Sequence, residues 1–212
     1  MPLKILLADD HQIVRQGLKA LLEQEGFNVI AEASNGQEAV TKTRELEPDV
    51  AVLDVSMPIM NGLLAAEEIR RSLGTKVRVV LLTVHTESQY VLQALRAGVR
   101  GYVLKSKAAE NLIQAITDVS NGLTYLSSGV SEAVVEAYLT KHESGPVENL
   151  TSRELQVLQL VAEGKTTKEI ASLLGISFKT AESHRTRIME KLDIHETAGL
   201  VRYAIRRGVI QP

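Results

Sequence analysis

Three aspartates, a threonine and a lysine stand where chemistry is most easily done. Asp9-Asp10, Asp54, Thr83 and Lys105 each follow directly on a short apolar run. In an open sheet of parallel strands, ligands bind beyond the carboxyl ends of the strands, where the strand order reverses. If the runs are such strands, all five side chains converge on one rim. Three carboxylates at one rim repel each other, so positive charge must offset them or some must carry protons. A hard divalent cation with an oxygen preference, Mg²⁺ foremost, is the natural counter-charge. Lys105 supplies a second positive charge and Thr83 a hydroxyl.

That set suits transfer of a phosphoryl group to a carboxylate, with cations neutralising the phosphoryl oxygens. Asp54, on the central run, is the acceptor candidate. Asp9 and Asp10, from the neighbouring run, are the metal-ligand candidates. Each residue alone has a plainer explanation. An Asp after a strand is a common turn residue or helix cap, and a Lys there is a solvated charge. Their joint placement at the same end of four strands carries the reading.

The elements that must position them follow from hydrophobic patterning. Short runs rich in Val, Ile and Leu at Leu3–Ala8, Asn28–Ala33, Val50–Leu53, Val77–Leu82 and Gly101–Leu104 read as parallel strands, several apolar throughout. Helical segments are expected between them, at His11–Glu25, Gly36–Leu46, Gly62–Leu73, Thr86–Ala97 and Lys107–Asn121. In the first, Ile13, Leu18, Leu21 and Leu22 are expected on the core side, with Gly26 as the stop. The fold class expected is an α/β doubly wound five-stranded parallel sheet followed by a small all-α domain.

The second half has no strand signal. Thr151 with Glu154, and Thr166 with Glu169, have the spacing of capping boxes; Gly164 and Gly175 follow as stops. Ser177 caps a third helix to about Leu192, and a fourth covers roughly Glu196–Arg207. Val130–Tyr138 reads as a further helix, and Lys141–Pro146 as linker. The boundaries drawn are 1–122, a linker at 123–147, and 148–212.

Composition narrows the classes. With no Cys in 212 residues, disulfides, Cys-ligated zinc, iron–sulfur ligation and a thiol nucleophile are excluded. Aromatics at 3% argue against base-stacking surfaces. No apolar run reaches spanning length and no leader layout is visible, so no membrane contact and a cytoplasmic location are expected. The net charge of −2 hides an asymmetry: 14 Lys+Arg face 18 Asp+Glu through Pro146, and 10 face 8 from Val147 onward.

Thr166–Leu174, a short turn, then Phe178–Leu192 is the layout that sets a second helix into a DNA major groove. A bundle with a solvated charged face has the same layout. Ala181, Ile188 and Leu192 fall on one side of that helix and are expected to pack against Leu155, Leu158, Val161, Ile170 and Leu173. Lys179, Glu182, Ser183 and Thr186 then face outward, with Arg185 and Arg187 at the flanks.

Residues 1–122 resemble a response-regulator receiver domain, through Asp9-Asp10, Asp54 within Asp54–Gly62, Thr83 and Gly101–Lys105. Residues from Leu150–Leu158 through Lys168–Ala171, Gly175–Ser177, Lys179-Thr180, His184, Ile188 and Lys191-Leu192 resemble a LuxR-type helix-turn-helix domain. Together they resemble a NarL/FixJ-family response regulator. Two departures are visible: Ser106 stands where many receivers carry a cis Pro, and Ala181 where Val is usual.

The resemblance implies that a histidine kinase phosphorylates Asp54. It implies Mg²⁺ held by Asp9, Asp10, Asp54 and the Ser56 carbonyl, with Thr83 and Lys105 on the phosphoryl oxygens and Tyr102 turning inward after Thr83. Ser56 and His85 are expected to flank the phosphoryl group, His85 as a gate to water. The unphosphorylated receiver would mask the recognition helix, and activation would favour a homodimer.

On DNA, Glu182, Ser183 and Thr186 are expected at base edges, and Lys179, Thr180, Arg187 and Lys191 at phosphates. His184 is assigned to the same surface without a role, and Arg185 stays open. Val201 and Ala204 are the expected dimer contacts; RNA polymerase is a further expected partner. The chain is expected not to be an enzyme. Two rivals are kept: a metal-dependent phosphatase with an aspartyl-phosphate intermediate, and a DNA-binding protein with an inert receiver used only for dimerisation.

Overall fold

Apolar runs with no polar interruption can only be satisfied between two layers of helix, and that is where they lie. In the computed structural model, residues 1–84, 91, 94–95, 97–128, 130 and 150–210 are described. The first elements are β1 (Lys4–Ala8), α1 (Gln12–Gln24), β2 (Asn28–Ala33), α2 (Gly36–Leu46), β3 (Val50–Asp54), α3 (Gly62–Leu73) and β4 (Arg78–Thr83). Then come β5 (Gly101–Leu104), a single 3₁₀ turn at Lys105–Lys107, α4 (Ala108–Ser120) and β6 (Tyr125–Leu126). The chain divides into two compact units, Met1–Lys141 and His142–Pro212.

In the first unit the strand order is β2-β1-β3-β4-β5-β6. The pairings are parallel, with Leu7 opposite Val52, Val52 opposite Val80 and Leu82 opposite Val103. From β1 the chain moves outward to β2 and then back to β3 on the other side. The order therefore reverses between β1 and β3, which end at Ala8 and Asp54. Leu18 and Leu22 of α1 and Leu112 and Ile116 of α4 cover one face of the sheet, over Ile5, Leu7, Val50, Val52, Val80 and Leu82. By strand alternation, the buried Ala39, Val40, Ala65 and Ile69 of α2 and α3 belong to the opposite face.

Two expectations need correction here. The sheet has six strands among the described residues, not five: Tyr125 and Leu126, assigned to the linker, pair with Gly101 and Tyr102. A two-residue strand is too short to carry an alternation signal. Ile13 is 86% exposed. At about 100° per residue it lies roughly opposite Leu22 on the helix, so it cannot share that buried face. The expected helices at Thr86–Ala97 and Val130–Tyr138, and His85, fall largely or wholly outside the described residues.

The second unit consists, among the described residues, of α5 (Ser152–Ala162), α6 (Thr167–Leu174), α7 (Phe178–Leu192) and α8 (Thr197–Arg206). Both capping boxes form, Thr151 with Glu154 and Thr166 with Glu169, and Ser177 caps α7. Gly175 ends α6 at φ 62°, a left-handed conformation that costs glycine little. Val157, Leu158, Val161, Ile170, Ala181, Ile188, Leu192 and Leu200 form the core. Leu155 is only half-buried and Leu173 is 41% exposed, so both fall short of the core positions expected for them. Leu174, not Leu173, packs on that core, because Ile170, Ala171 and Leu174 set the inward side of α6.

Candidate functional site

The reversal between β1 and β3 brings the expected carboxylates together. Asp9, just past β1, is fully buried; Asp54, the last residue of β3, is 2% exposed. Asp10 is partly exposed beside them. One ligand atom each from Asp9, Asp10, His11 and Asp54 lies within 4.8 Å of every other. Lys105, directly after β5, reaches in from across the sheet. Its Nζ donates to Asp9 Oδ2 at 2.8 Å and stands 2.9 Å from Asp54 Oδ2.

The backbone around Asp54 is held tightly. Gly62, the first residue of α3, donates its N–H to Val55 O at 2.9 Å, and Val55 donates to Leu82 O at 2.9 Å. Asn61 caps α3 by accepting from Leu64 N–H at 2.9 Å. Ile59, in the loop between, is at φ 69°. A β-branched residue there is strained, and such strain persists only where its surroundings enforce it. The Asp9-Asp10 turn is held from the other side. The His11 N–H donates to Asp9 Oδ1 at 2.8 Å, and Arg15 Nη1 donates to the Asp9 carbonyl at 2.7 Å. Glu32 in turn accepts from Arg15 and Lys19, at 3.1 and 2.9 Å.

Electrostatics follow from that packing. Burial pushes the Asp54 carboxyl above the usual range; Lys105 opposes this, the Asp9 charge adds to it, and the Ser56 backbone N–H opposes it. For Lys105, burial alone would lower the pKa. The hydrogen bond to Asp9 and the Asp54 charge outweigh it and hold the ammonium above its ordinary value. One lysine faces three carboxylates. The shortfall in positive charge, the all-oxygen carboxylate set and a buried Asp54 Oδ2 without an aligned hydrogen-bond donor all fit a hard divalent cation.

Thr83 ends β4 and is 1% exposed, opposite Leu104 in the pairing with β5. Tyr102, on β5, is likewise buried, so it already occupies an inward position. Ser56 is half-buried two residues beyond Asp54. No peptide bond among the described residues is cis, so Lys105–Ser106 is trans. Patterning did not single out His11, Arg15 or Glu32. The available signal was the position of His11 beside the aspartate pair and of Arg15 one turn further on.

On α7, Lys179, Thr180, Glu182, Ser183, Thr186 and Arg187 are exposed, while Ala181, Ile188 and Leu192 are buried. His184 and Arg185 are half-buried. The His184 Nδ1 atom is buried without a hydrogen-bond partner, and Arg185 donates to Thr197 Oγ1 at 2.5 Å. Lys191 is committed elsewhere: its Nζ donates to Glu154 Oε2 at 2.7 Å. The same oxygen accepts from Thr151 N–H at 2.8 Å. Burial would raise the Glu154 pKa, but Lys191 and Thr151 overrule it and hold the carboxyl below its usual range. That pair offsets the Lys191 charge, so the residue adds less to a phosphate contact than an unpaired lysine would.

On α8, Ala204 is fully buried in the domain's own core and cannot be a dimer contact as expected. The fourfold advance from Leu200 to Ala204 puts both on one side of the helix. Val201 is half-buried.

Comparisons with known proteins agree in both halves. The family described as response regulator receiver domain matches residues 5–117, and that described as bacterial regulatory proteins, luxR family, matches residues 148–204. The oxygen regulatory protein NreC of Staphylococcus haemolyticus is 37% identical over 216 residues, covering 98% of this chain and 99% of that protein. RcsB of Salmonella enterica serovar Typhimurium, solved bound to promoter rprA in the presence of the phosphomimetic BeF₃⁻, is 28% identical with a TM-score of 0.58. That match covers 95% of this chain and 97% of RcsB. A structure of two RcsB dimers bound to two parallel DNAs is 27% identical with a TM-score of 0.59, covering 96% and 98%.

Proposed function

Because the chain belongs to the NarL/FixJ-type response regulators, a receiver domain followed by a LuxR-family DNA-binding domain, we propose that Asp54 is its phosphorylation site. The protein is a two-component response regulator that acts on DNA. The observation that carries the assignment of Asp54 is the Lys105 ammonium lying between the carboxylates of Asp9 and Asp54. It opposes the burial that raises the Asp54 pKa, and so favours the ionised carboxylate that is the nucleophile this reaction needs.

The phosphodonor is a phosphohistidine on a sensor kinase. An Asp54 carboxylate oxygen forms the new bond to phosphorus as the bond from phosphorus to the imidazole nitrogen breaks, and the imidazole takes up a proton. Asp9, Asp10, Asp54 and the Ser56 carbonyl would hold Mg²⁺, which supplies neutralising charge for the phosphoryl oxygens. Lys105 provides a further cation to those oxygens and Thr83 a hydroxyl. Thr83 and Tyr102 then act as the switch. Phosphorylation adds about two negative charges to a site already short of positive ones.

The output is sequence-specific binding to double-stranded promoter DNA by a homodimer. RcsB, bound to promoter DNA and solved as DNA-bound dimers, supports that reading. Glu182, Ser183 and Thr186 contact base edges; Lys179, Thr180 and Arg187 contact phosphates, with His184 at the edge of the surface. Val201 is the α8 residue kept for the dimer contact. The domains are 1–122, extended by the pairing of β6 to about residue 126, then a linker, then 148–212. RNA polymerase is the further partner. The location is cytoplasmic; no helix among the described residues is long and apolar enough to cross a membrane. The chain is a regulator and not a turnover enzyme, since a phosphatase would leave the exposed face of α7 without a role.

The test is phosphorylation by a small phosphodonor with Mg²⁺, read by intact mass. Wild type gains one phosphoryl group and Asp54→Ala gains none. Labelling of Asp54→Ala to the same extent would refute the assignment.

A further inference from the structure

Phe178, the first residue of α7, is 53% exposed. It is one of two phenylalanines in the chain; the other, Phe27, packs against the core of the first unit. The core of the second unit takes Ala181, Ile188 and Leu192 from α7 and does not include Phe178. Helix capping does not need the ring either, because Ser177 accepts from Thr180 N–H at 3.1 Å. A lone exposed apolar side chain would be ordinary; the place of this one is not.

Side chains of a helix lean toward its N-terminus, so the side chain of a first residue projects past the helix start. At about 100° per residue, Phe178 lies within about 40° of Glu182 around the helix. It stands on the flank of the face formed by the exposed Lys179, Ser183 and Thr186. In helix-turn-helix docking the N-terminal residues of the second helix meet the base edges. Those edges carry one apolar group in the major groove, the C5-methyl of thymine; their other contact atoms donate or accept hydrogen bonds. A phenyl ring carried there finds its apolar contact in that methyl.

We propose that Phe178 is a sequence-reading residue, its ring packed on the C5-methyl of a thymine about two base pairs from the pair that Glu182 contacts. The spacing is the rise of four helical residues, about 6 Å, against about 3.4 Å per base pair. The proposal rests on the reading of α7 as the helix in the major groove. Its polar neighbours then select base pairs by hydrogen bonding, and Phe178 selects thymine by a contact that needs none. The ring touches the edge of a stacked duplex, so no base has to leave the stack.

The test uses the full chain with a small phosphodonor and Mg²⁺ present. Wild type first selects a duplex from a random-sequence pool. Each thymine of that duplex is then replaced in turn by deoxyuridine, which lacks only the C5-methyl. Replacement at one thymine per half-site is expected to weaken wild-type binding about fourfold, the worth of one methyl group leaving water. In Phe178→Ala that thymine and its uracil should be bound equally, and affinity for the selected duplex should fall. Phe178→Leu, still apolar, should restore part of the difference, and Glu182→Ala should retain it. Phe178→Gln should behave as Phe178→Ala and serves as the test if the alanine variant does not fold.

A uracil effect of the same size in wild type and Phe178→Ala at every thymine would overturn the proposal. So would a selected duplex in which no thymine responds. Loss of affinity in Phe178→Ala without a change in any thymine-to-uracil ratio would put the ring on the sugar–phosphate backbone instead. Unchanged DNA binding would leave Phe178 to a protein partner, together with the exposed Leu173 before the same turn. Either result rejects thymine reading. A wild type that selects no sequence at all would defeat the reading of α7 as a base-contacting helix, an outcome distinct from these.

Discussion

A Cβ placed on Gly62 would stand 2.1 Å from the carbonyl oxygen of Asp54. The first residue of α3 thus touches the backbone of the proposed phosphoryl acceptor, and only glycine permits the approach. Gly62→Ala should push the start of α3 away from β3 and shift Asp54 relative to Lys105. Overpacking of this kind costs about 1–3 kcal/mol. A lower urea midpoint and slower labelling of Asp54 are expected together. Normal values of both would show that the contact relaxes without consequence.

Asp54 is expected to cost the fold stability at neutral pH. Its folded-state pKa lies above the ordinary carboxylate value, mainly through burial. A group shifted that way stabilises below its unfolded pKa, and that contribution is lost as pH rises through the folded pKa. At neutral pH without divalent metal, Asp54→Asn should therefore be more stable than wild type, by on the order of 1 kcal/mol. The gain should shrink as pH falls into the carboxylate range. Urea denaturation across pH in EDTA checks this; a variant no more stable than wild type at neutral pH contradicts it.

Glu154 has the opposite sign. Lys191 and Thr151 together overcome burial and hold its pKa below the ordinary value. Its contribution is present above the unfolded pKa and is lost as pH falls through the folded one. The pair joins the first turn of α5 to the last turn of α7. Because Lys191 is partly solvated, breaking the pair with Glu154→Gln should cost about 1–2 kcal/mol rather than a fully buried pair's worth. Helical circular dichroism against urea should show the difference near neutral pH and its loss in acid. A variant as stable as wild type at neutral pH would mean that the pair is idle.

The same pair separates the lysines of α7 on DNA. Lys179 is exposed, so Lys179→Ala should weaken binding to all sequences and reduce the salt slope by about one. Lys191→Ala should lower stability while leaving that slope nearly unchanged, because its charge is spent on Glu154. Glu182→Ala should instead alter base preference. Fluorescence anisotropy over a salt series distinguishes these outcomes. Equal slopes for wild type and Lys179→Ala would reject the division of roles.

The elements legible in the sequence were those with long, uniform patterns. The runs Val50–Leu53 and Val79–Leu82 are apolar because both faces of the sheet are covered, and that same rule placed Asp54 and Thr83 at the rim. The caps at Thr151, Thr166 and Ser177 were legible because capping is local chemistry. What patterning missed depended on partners far along the chain. Lys191 looked like a free cation until Glu154, 37 residues away, was brought beside it. Ala204 looked like a small interface residue because a small residue looks alike inside and outside a helix. Tyr125–Leu126 became a strand only because β5 offered an edge. Arg15 and Glu32 support the Asp9 turn through a contact between α1 and β2 that spacing alone does not reveal.

One buried carboxylate, Asp54, is proposed to control a helix that reads DNA. Its most direct test is promoter-DNA affinity at fixed salt, measured with and without a small phosphodonor and Mg²⁺, for wild type and Asp54→Ala. Phosphodonor should tighten binding by wild type and leave Asp54→Ala unchanged. Equal tightening in both proteins, or none in a wild type shown by mass to be phosphorylated, would contradict it.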